Sequence, residues 1–381
     1  MGRMKSLQNK VIVITGAASG IGRALALEGA RRGARLMLAD IDEAGLAAAT
    51  AEVGALGATC HSLRVDTGQE QEIFTLARAC EQHYGAADVV INNAGVTLMS
   101  SVEQLQTADA QWLMNINFWG VVHGCRAFLP QLKRRPEAML VNISSIFAMV
   151  SVPAQSMYNG AKAAVRGFSD ALREELRDTT VRVLCVHPGG IRTNIANSAR
   201  MADLSLVEAS PEQMRELFQQ NARTSPEQAA RAILNAVEGD RTRLLIGADA
   251  HVADWIYRLF PASASAWLSR LVQQRRVAAL GPPASPAARI NRLFRLLILA
   301  TYFLALLGLV MPLPLDAGPI LQRVSLVLLV IHVLELLVKF RQVRLYRGPL
   351  PISVLLTLLF GLLHWKPLAD ARTRVVNARA E

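Results

Sequence analysis

A tyrosine and a lysine stand four residues apart in the stretch YNGAK (158–162), with only small or polar residues between them. On a helix that spacing puts both side chains on one face. A free phenol titrates at about 10, so by itself it is a poor base at neutral pH. A neighbouring ammonium stabilises the phenolate and brings Tyr158 toward a working range. The stretch NISS (142–145) adds a hydroxyl that can hydrogen-bond a substrate oxygen. Ser145 lies 13 residues before Tyr158, with Ser144 as the competing candidate. Together these groups suit removal or return of an alcohol proton.

A second constellation is TGAASGIG (15–22), which follows an apolar run and opens a helical pattern. Gly16 permits a tight exit from a strand. Gly20 and Gly22 let backbone N–H groups and a helix N-terminus approach a pyrophosphate, where the helix dipole favours anions. The bland alternative, a strand-to-helix turn with incidental glycines, is weaker in this context. Asp40, at the end of the next apolar run, can accept hydrogen bonds from both ribose hydroxyls of an adenosine. Its carboxylate would repel a 2′-phosphate, and no Lys or Arg occupies 17–19, so NAD is expected over NADP. A base beside a nicotinamide is what hydride transfer from an alcohol requires, and the positive nicotinamide ring adds to the ammonium in stabilising the Tyr158 phenolate. Lys162 is then also placed to hold the nicotinamide ribose.

The elements that must position these groups are legible as alternating patterns. Seven near-continuous apolar runs read as parallel strands buried on both faces: 10–16, 34–40, 58–66, 87–93, 138–145, 181–189 and 243–248. Helical segments such as 20–33, 69–84, 109–134, 155–178 and 226–238 lie between them. The expected fold is α/β, a Rossmann-type doubly wound sheet, followed by a helical membrane-associated region. The expected organisation is 1–250 for the catalytic domain, 251–289 for amphipathic helices and a Pro/Ala linker, and 290–381 for a hydrophobic domain.

Residues 10 to about 250 resemble the short-chain dehydrogenase/reductase family. TGAASGIG is similar to that family's cofactor loop, which extends the implied contacts to Ser19 and Ile21. VD (65–66) resembles its adenine-contacting aspartate, here Asp66, and NNAG (92–95) its fourth-strand motif, with Asn93, Ala94 and Gly95 touching cofactor. NINFWG (115–120) resembles the helix bearing a catalytic asparagine, which falls on Asn117. Ser145, Tyr158 and Lys162 match the remaining catalytic residues. HPGGIRT (187–193) resembles the segment along the nicotinamide, implying Pro188, Gly189, Ile191 and Thr193. The resemblance implies that Asn117 holds a water linking Lys162 to solvent. It also implies a homodimer or tetramer through helices 109–134 and 155–178. Asn92 and Asn93 have an equally good reading as buried strand-bridging amides, and Cys185 and His187 read as packing residues.

Composition separates the chain into two textures. Residues 1–261 hold 26 basic and 26 acidic residues, whereas 262–381 hold 15 and 4, which is the entire net charge of +11. That excess flanks apolar runs, where Lys and Arg meet lipid headgroups, so a membrane partner is expected and nucleic acid is not. Candidate spans are 293–311, of bilayer-crossing length, and the weaker 320–338 and 350–365. Arg289, Arg292 and Arg295 precede the first run, and Lys339, Arg341, Arg344 and Arg347 follow the second. By charge bias these form a hairpin that leaves the catalytic domain on the cytoplasmic side of the inner membrane. His332 and Glu335, three apart on the second run, read as a pair packing the hairpin, with a functional role at membrane depth as the alternative. The four cysteines, Cys60, Cys80, Cys125 and Cys185, have no CxxC or metal-like spacing, so no metal is expected and a reducing compartment is. MGRMKSLQNK lacks an apolar run, so no secretory leader is expected.

These observations favour a membrane-anchored NAD-dependent oxidoreductase acting on a lipophilic secondary alcohol or ketone, such as a sterol, retinoid or lipid. The segment 194–225 is where the resembled family builds its substrate lid. The competing reading is an NAD sensor or scaffold that docks membrane enzymes through its C-terminal helices. An intact Asn117–Ser145–Tyr158–Lys162 set argues against it.

Overall fold

The computed structural model describes residues 4–196, 198–203, 210–269, 286–307, 317–344, 350–364 and 366. The chain divides into two units, Met1–Arg276 and Val277–Glu381. In the first, each of the seven apolar runs is a strand: Val11–Thr15 (β1), Arg35–Asp40 (β2), Cys60–Arg64 (β3), Val89–Asn92 (β4), Ala138–Ile143 (β6), Val181–Pro188 (β7) and Arg243–Ile246 (β9). They pair in parallel in the order β3-β2-β1-β4-β6-β7-β9. A further two-stranded ladder, Leu98–Met99 (β5) with Arg200–Met201 (β8), has no apolar run long enough to announce it.

The helices are Gly20–Arg31 (α1), Glu43–Ala55 (α2), Glu70–Tyr84 (α3), Thr107–Met114 (α4), Gly120–Leu132 (α5), Ser156–Glu175 (α6), Pro211–Asn221 (α7), Pro226–Glu238 (α8) and Ala248–Leu259 (α9). Strand alternation decides which core each residue joins. Ile12 and Ile14 pack with α1, α2 and α8 on one face, while Val11 and Val13 pack with α3, α5 and α6 on the other. Local signals fix several ends. Ser225 and Gln228 form a reciprocal capping box at α8, with Pro226 in its first turn. The Asp42 side chain accepts from Gly45 N at the start of α2.

The expected single helix over 109–134 is interrupted. Residues Asn115–Trp119 form a π-turn between α4 and α5, which shifts the helical register by a fraction of a turn just at Asn117. No sequence period reports such an insertion. Below the carboxyl ends of the strands runs a buried polar seam. Asn92 Nδ2 donates to Asn142 Oδ1 (2.9 Å), and Asn142 Nδ2 donates to Ser169 Oγ (3.0 Å), which donates to Val165 O (2.7 Å). Asn92 and Asn142 are direct partners in the β4–β6 register.

The first unit extends beyond the boundary expected at residue 250, because α9 packs into a small core with Ile146, Met149 and Val150. Residues 264–269 are also helical; the rest of the linker, 270–285, lies outside the described residues.

The second unit contains helices Pro286–Leu307, Ala317–Val338, Phe340–Val343 and Leu350–Phe360. Pro319–Val338, with mean hydropathy 2.0, is long and apolar enough to cross a membrane, whereas the apolar part of the first helix is the shorter Leu293–Leu307. The rest of 293–311 lies outside the described residues. Gly361, at φ +49, ends the third stretch. His332 Nδ1 bonds Leu358 O at 2.8 Å and lies 3.4 Å from the Tyr302 hydroxyl, so this histidine ties all three apolar helices rather than the hairpin alone. A Cβ on Gly361 would come within 2.4 Å of Glu335 Oε2, which places His332 and Glu335 against the same bend. Polarity in this unit is inverted. His332, Ser353, Thr357 and His364 are buried, while Leu293, Leu296, Phe303, Ile320, Val327 and Leu337 are exposed.

Candidate active site

The strand order reverses between β1 and β4, and the crevice outside their carboxyl ends is where an open α/β sheet binds its ligand. Gly16 leaves β1 at φ +68, a conformation that disfavours any side chain. A Cβ on Gly22 would lie 1.9 Å from Gly16 O, so the first turn of α1 and the strand exit touch backbone to backbone. Ser19 precedes α1 in extended conformation and its hydroxyl caps nothing, which leaves the first-turn N–H groups available to a ligand. Ile21 packs at the edge of the core beneath. Thr193 arrives from the segment after β7 and stands over the loop, with Cγ2 3.1 Å from where a Gly20 Cβ would be.

Asp40 is pinned where β2 ends. Its Oδ2 accepts from Ala18 N (2.9 Å) and its Oδ1 from Asp42 N (3.0 Å), and each oxygen keeps a lone pair for a ribose hydroxyl. Asp66 Oδ1 accepts from Gly68 N (2.9 Å) in the turn after β3. Asn93 Nδ2 donates to Thr15 O (2.9 Å) and Gly16 O (3.2 Å), while Thr15 Oγ1 accepts from the N–H groups of Asn93 and Ala94. The two ends of the crevice are thus tied together. The shape fits a nicotinamide dinucleotide: a side-chain-free cradle, unclaimed helix N–H groups, and a carboxylate at the ribose end.

The reacting groups meet one residue further on. A Cβ on Gly95 would lie 3.4 Å from both Asn117 Oδ1 and Lys162 Nζ, so these side chains flank it. Tyr158 and Lys162 share a face of α6, with Nζ 5.8 Å from the phenol ring centroid. Ser145 is close enough to Tyr158 for its side chain to favour the phenolate, and its hydroxyl accepts from Phe147 N at 3.2 Å. Ser144 is separated from this group, because its hydroxyl donates to Lys162 O at 2.8 Å. The Asn117 amide is bonded at both ends to Val96, accepting from its N–H (2.8 Å) and donating to its C=O (2.9 Å). A water relay through that amide would have to use its remaining lone pair and N–H.

Burial dominates the electrostatics of both groups. Burial raises the Tyr158 phenol above its ordinary range, outweighing the hydrogen bond with Ser145. Burial lowers Lys162 to about 8, and Nζ donates to Ile143 O at 3.0 Å. The ammonium therefore does not bring the phenol down by itself, since desolvation of both groups wins over attraction at this separation. Both side chains are held toward their neutral forms.

The segment after β7 is positioned from below. Beyond Pro188, which ends β7, Gly189 N donates to Ile246 O (2.9 Å) and Gly190 N to Asp249 Oδ2 (2.6 Å), and buried Ile191 bridges to Thr224. Cys185 is buried in its strand. His187 is buried with Nδ1 3.3 Å from Ser145 O, and burial with Arg243 nearby pushes it down to about 4, so it packs as a neutral ring. Three contributors escaped the sequence reading. Val96 holds Asn117 through backbone atoms alone, and Asp249 is a distant carboxylate on α9. Phe147, edge-on to Tyr158 with ring centroids 6.3 Å apart, was signalled by its place two residues after Ser145. Of the segment 194–225, Asn194–Ala196 forms a 3₁₀ turn and Pro211–Asn221 is α7; residues 197 and 204–209 lie outside the described residues.

Residues 10–203 match the family model described as short chain dehydrogenase. The protein SadH of Mycobacterium tuberculosis is 41% identical over 263 residues, which are 68% of this chain and 94% of SadH. The uncharacterized oxidoreductase YxnA of Bacillus subtilis is 32% identical over 263 residues, covering 68% of this chain and 71% of its own. Among solved structures, a short chain dehydrogenase/reductase from Burkholderia phymatum in complex with NAD aligns with TM-score 0.59 and 28% identity, over 74% of this chain and 98% of that one. The match to SadH leaves about a third of the present chain without a counterpart there.

Proposed function

The chain belongs to the short-chain dehydrogenase family and is an oxidoreductase using a nicotinamide cofactor; from that premise we propose a membrane-anchored enzyme that moves hydride between NAD(H) and a lipophilic secondary alcohol or ketone. The observation that carries this reading is the chain of neighbours Asn117 and Lys162 flanking Gly95, Tyr158 beside Lys162 on α6, and Ser145 beside Tyr158, one residue beyond the wall of the glycine cradle. Ser145 orients the substrate oxygen. Tyr158 takes the alcohol proton, or returns it to a ketone. Lys162, held by Ile143 O and flanking Gly95, supplies the positive charge that the buried phenol needs to ionise. Bound nicotinamide supplies the hydride acceptor or donor. Asn117 holds the loop Gly95–Val96 against the π-turn and so fixes the floor beneath Lys162.

Asp40 supports NAD over NADP, because a 2′-phosphate would meet a carboxylate locked by two backbone N–H groups. The inverted polarity of the second unit supports a bilayer around it. A helix of a water-soluble core buries its apolar side chains, whereas only 6% of the Pro319–Val338 window is buried. The basic flanks support a catalytic unit on the cytoplasmic face.

The test is NADH formation by detergent-solubilised full-length protein across hydrophobic secondary alcohols, with NADP in parallel and Tyr158→Phe as the blank. NAD-dependent turnover that disappears in the variant is the expected result. Tight NADH binding without turnover on any alcohol or ketone would overturn the enzymatic reading.

A further inference from the structure

We infer that the outer face of α9 is a lipid-docking surface that seats the catalytic unit in the headgroup layer of an anionic bilayer. This rests on the membrane reading proposed above. The rotation of α9 is fixed by its inner side. Buried Asp254 takes hydrogen bonds from Arg243 (2.5 and 3.2 Å) and from Arg258 Nε (2.9 Å), and Ala250 and Ala253 pack against Ile146 and Met149. That orientation turns Val252, Trp255 and Leu259 outward, joined by Phe260, at 46–68% exposure. A helix on a water-soluble domain carries polar residues there. A Trp–Leu face bordered by an arginine suits the boundary between acyl chains and headgroups.

Charge and chain continuity argue for lipid as the occupant. The whole +11 of the chain lies in 262–381, immediately after this helix. Apolar sequence resumes at Leu293, so a bilayer holding the second unit is tethered to α9 by the chain itself, which raises its effective concentration there. The consequence reaches the chemistry, because the inner side of α9 packs on Ile146 and Phe147, and Phe147 is edge-on to Tyr158. Seating α9 in lipid turns this wall of the active site toward the phase in which a lipophilic alcohol dissolves.

The full-length protein is reconstituted into phosphatidylcholine/phosphatidylglycerol vesicles whose acyl chains are brominated near the headgroup. Tryptophan quenching is compared with Trp255→Phe, and flotation reports anchoring separately. The expected result is flotation of both proteins and loss of at least one third of the quenching in the variant. Flotation with equal quenching would overturn α9 docking while leaving the anchor intact; failure to float would overturn both. A second variant, Val252→Ser/Leu259→Ser, should raise KM about tenfold for an alcohol delivered in vesicles and leave a water-soluble alcohol unchanged. Loss of a chemical cross-link between two copies in that variant, with unchanged KM, would assign the face to self-association instead.

Discussion

Replacing Gly22 by alanine tests whether the cradle is as tight as its backbone contacts imply. The new Cβ would lie 1.9 Å from Gly16 O and 2.8 Å from Asn93 Nδ2. Carbon–oxygen contacts settle at about 3.3 Å, so the Gly16 carbonyl must retreat by roughly 1.4 Å. It has little room, because a Cβ position on Gly16 is itself only 2.8 Å from Ala94 Cα. Retreat also breaks the Asn93–Gly16 hydrogen bond. Overpacking costs about 1–3 kcal/mol and loss of one of the two Asn93 Nδ2 hydrogen bonds about 0.5–1.5 more, giving roughly 1.5–4.5 kcal/mol against the formed loop. If even 2 kcal/mol of this appears in binding, the Kd for NADH rises about thirtyfold. Fluorescence titration of NADH and thermal unfolding would measure both effects. Gly54→Ala is the control, since its Cβ would meet nothing within 4 Å in the exposed side of α2, and it should leave binding unchanged while stabilising by about 0.5–1 kcal/mol. A Gly22→Ala protein that binds NADH within threefold of the parent and melts with it would refute the reasoning.

Other consequences can be checked alongside. Asp40→Ala should lower kcat/KM for NAD by about 10–100-fold, the worth of one or two hydrogen bonds, and narrow the preference over NADP; steady-state kinetics with both cofactors decides. A lysine whose folded pKa lies below its unfolded one costs stability that is fully present at low pH and is recovered as pH rises toward the unfolded value. With Lys162 at about 8, that cost is about 3 kcal/mol below pH 8 and falls by more than half by pH 9.5, so the stability gained in Lys162→Met should shrink likewise in unfolding curves of cofactor-free protein. The thiols of Cys60, Cys80, Cys125 and Cys185, pushed by burial up to about 11, 12, 12 and 11, should resist alkylation at pH 8 until denaturant is added. Ser145→Ala should reduce turnover more than tenfold while NADH affinity stays within a few-fold, read by parallel kinetics and titration.

The sheet was legible because each strand is buried on both faces and so spells a continuous apolar run, as in VIVIT and AMLVNI. The cradle was legible because Gly16 and Gly22 have no substitute where backbone meets backbone. What escaped was information carried by main chain or by distance. The π-turn at Asn115–Trp119 leaves the helical period nearly intact, so nothing in NINFW marks it. The choice between Ser144 and Ser145 needed the geometry, in which one hydroxyl turns to α6 and the other to Tyr158. The burial that raises Tyr158 and lowers Lys162 was not legible, because spacing reports attraction between two groups but not the desolvation each suffers. Among the apolar tail helices, hydropathy located the segments; Pro319–Val338 is the described one long and apolar enough to cross a membrane, and Gly361 ends the third.

The amide seam beneath the site works as a registration key for assembly. Asn92 and Asn142 face each other across β4 and β6, joined amide to amide, and Ser169 closes the row from α6. A slip of one residue between those strands would turn two amides into hydrocarbon without partners, at several kcal/mol, whereas the surrounding valines and leucines would tolerate it. Asn93 to Gly95 follow one strand and Ser144 and Ser145 follow the other, while Lys162 sits seven residues before Ser169. The same lock that aligns the strands therefore indexes the cradle wall, the serine and the lysine to one another. A register that misaligns the active site therefore also forfeits these bonds and is the less stable one.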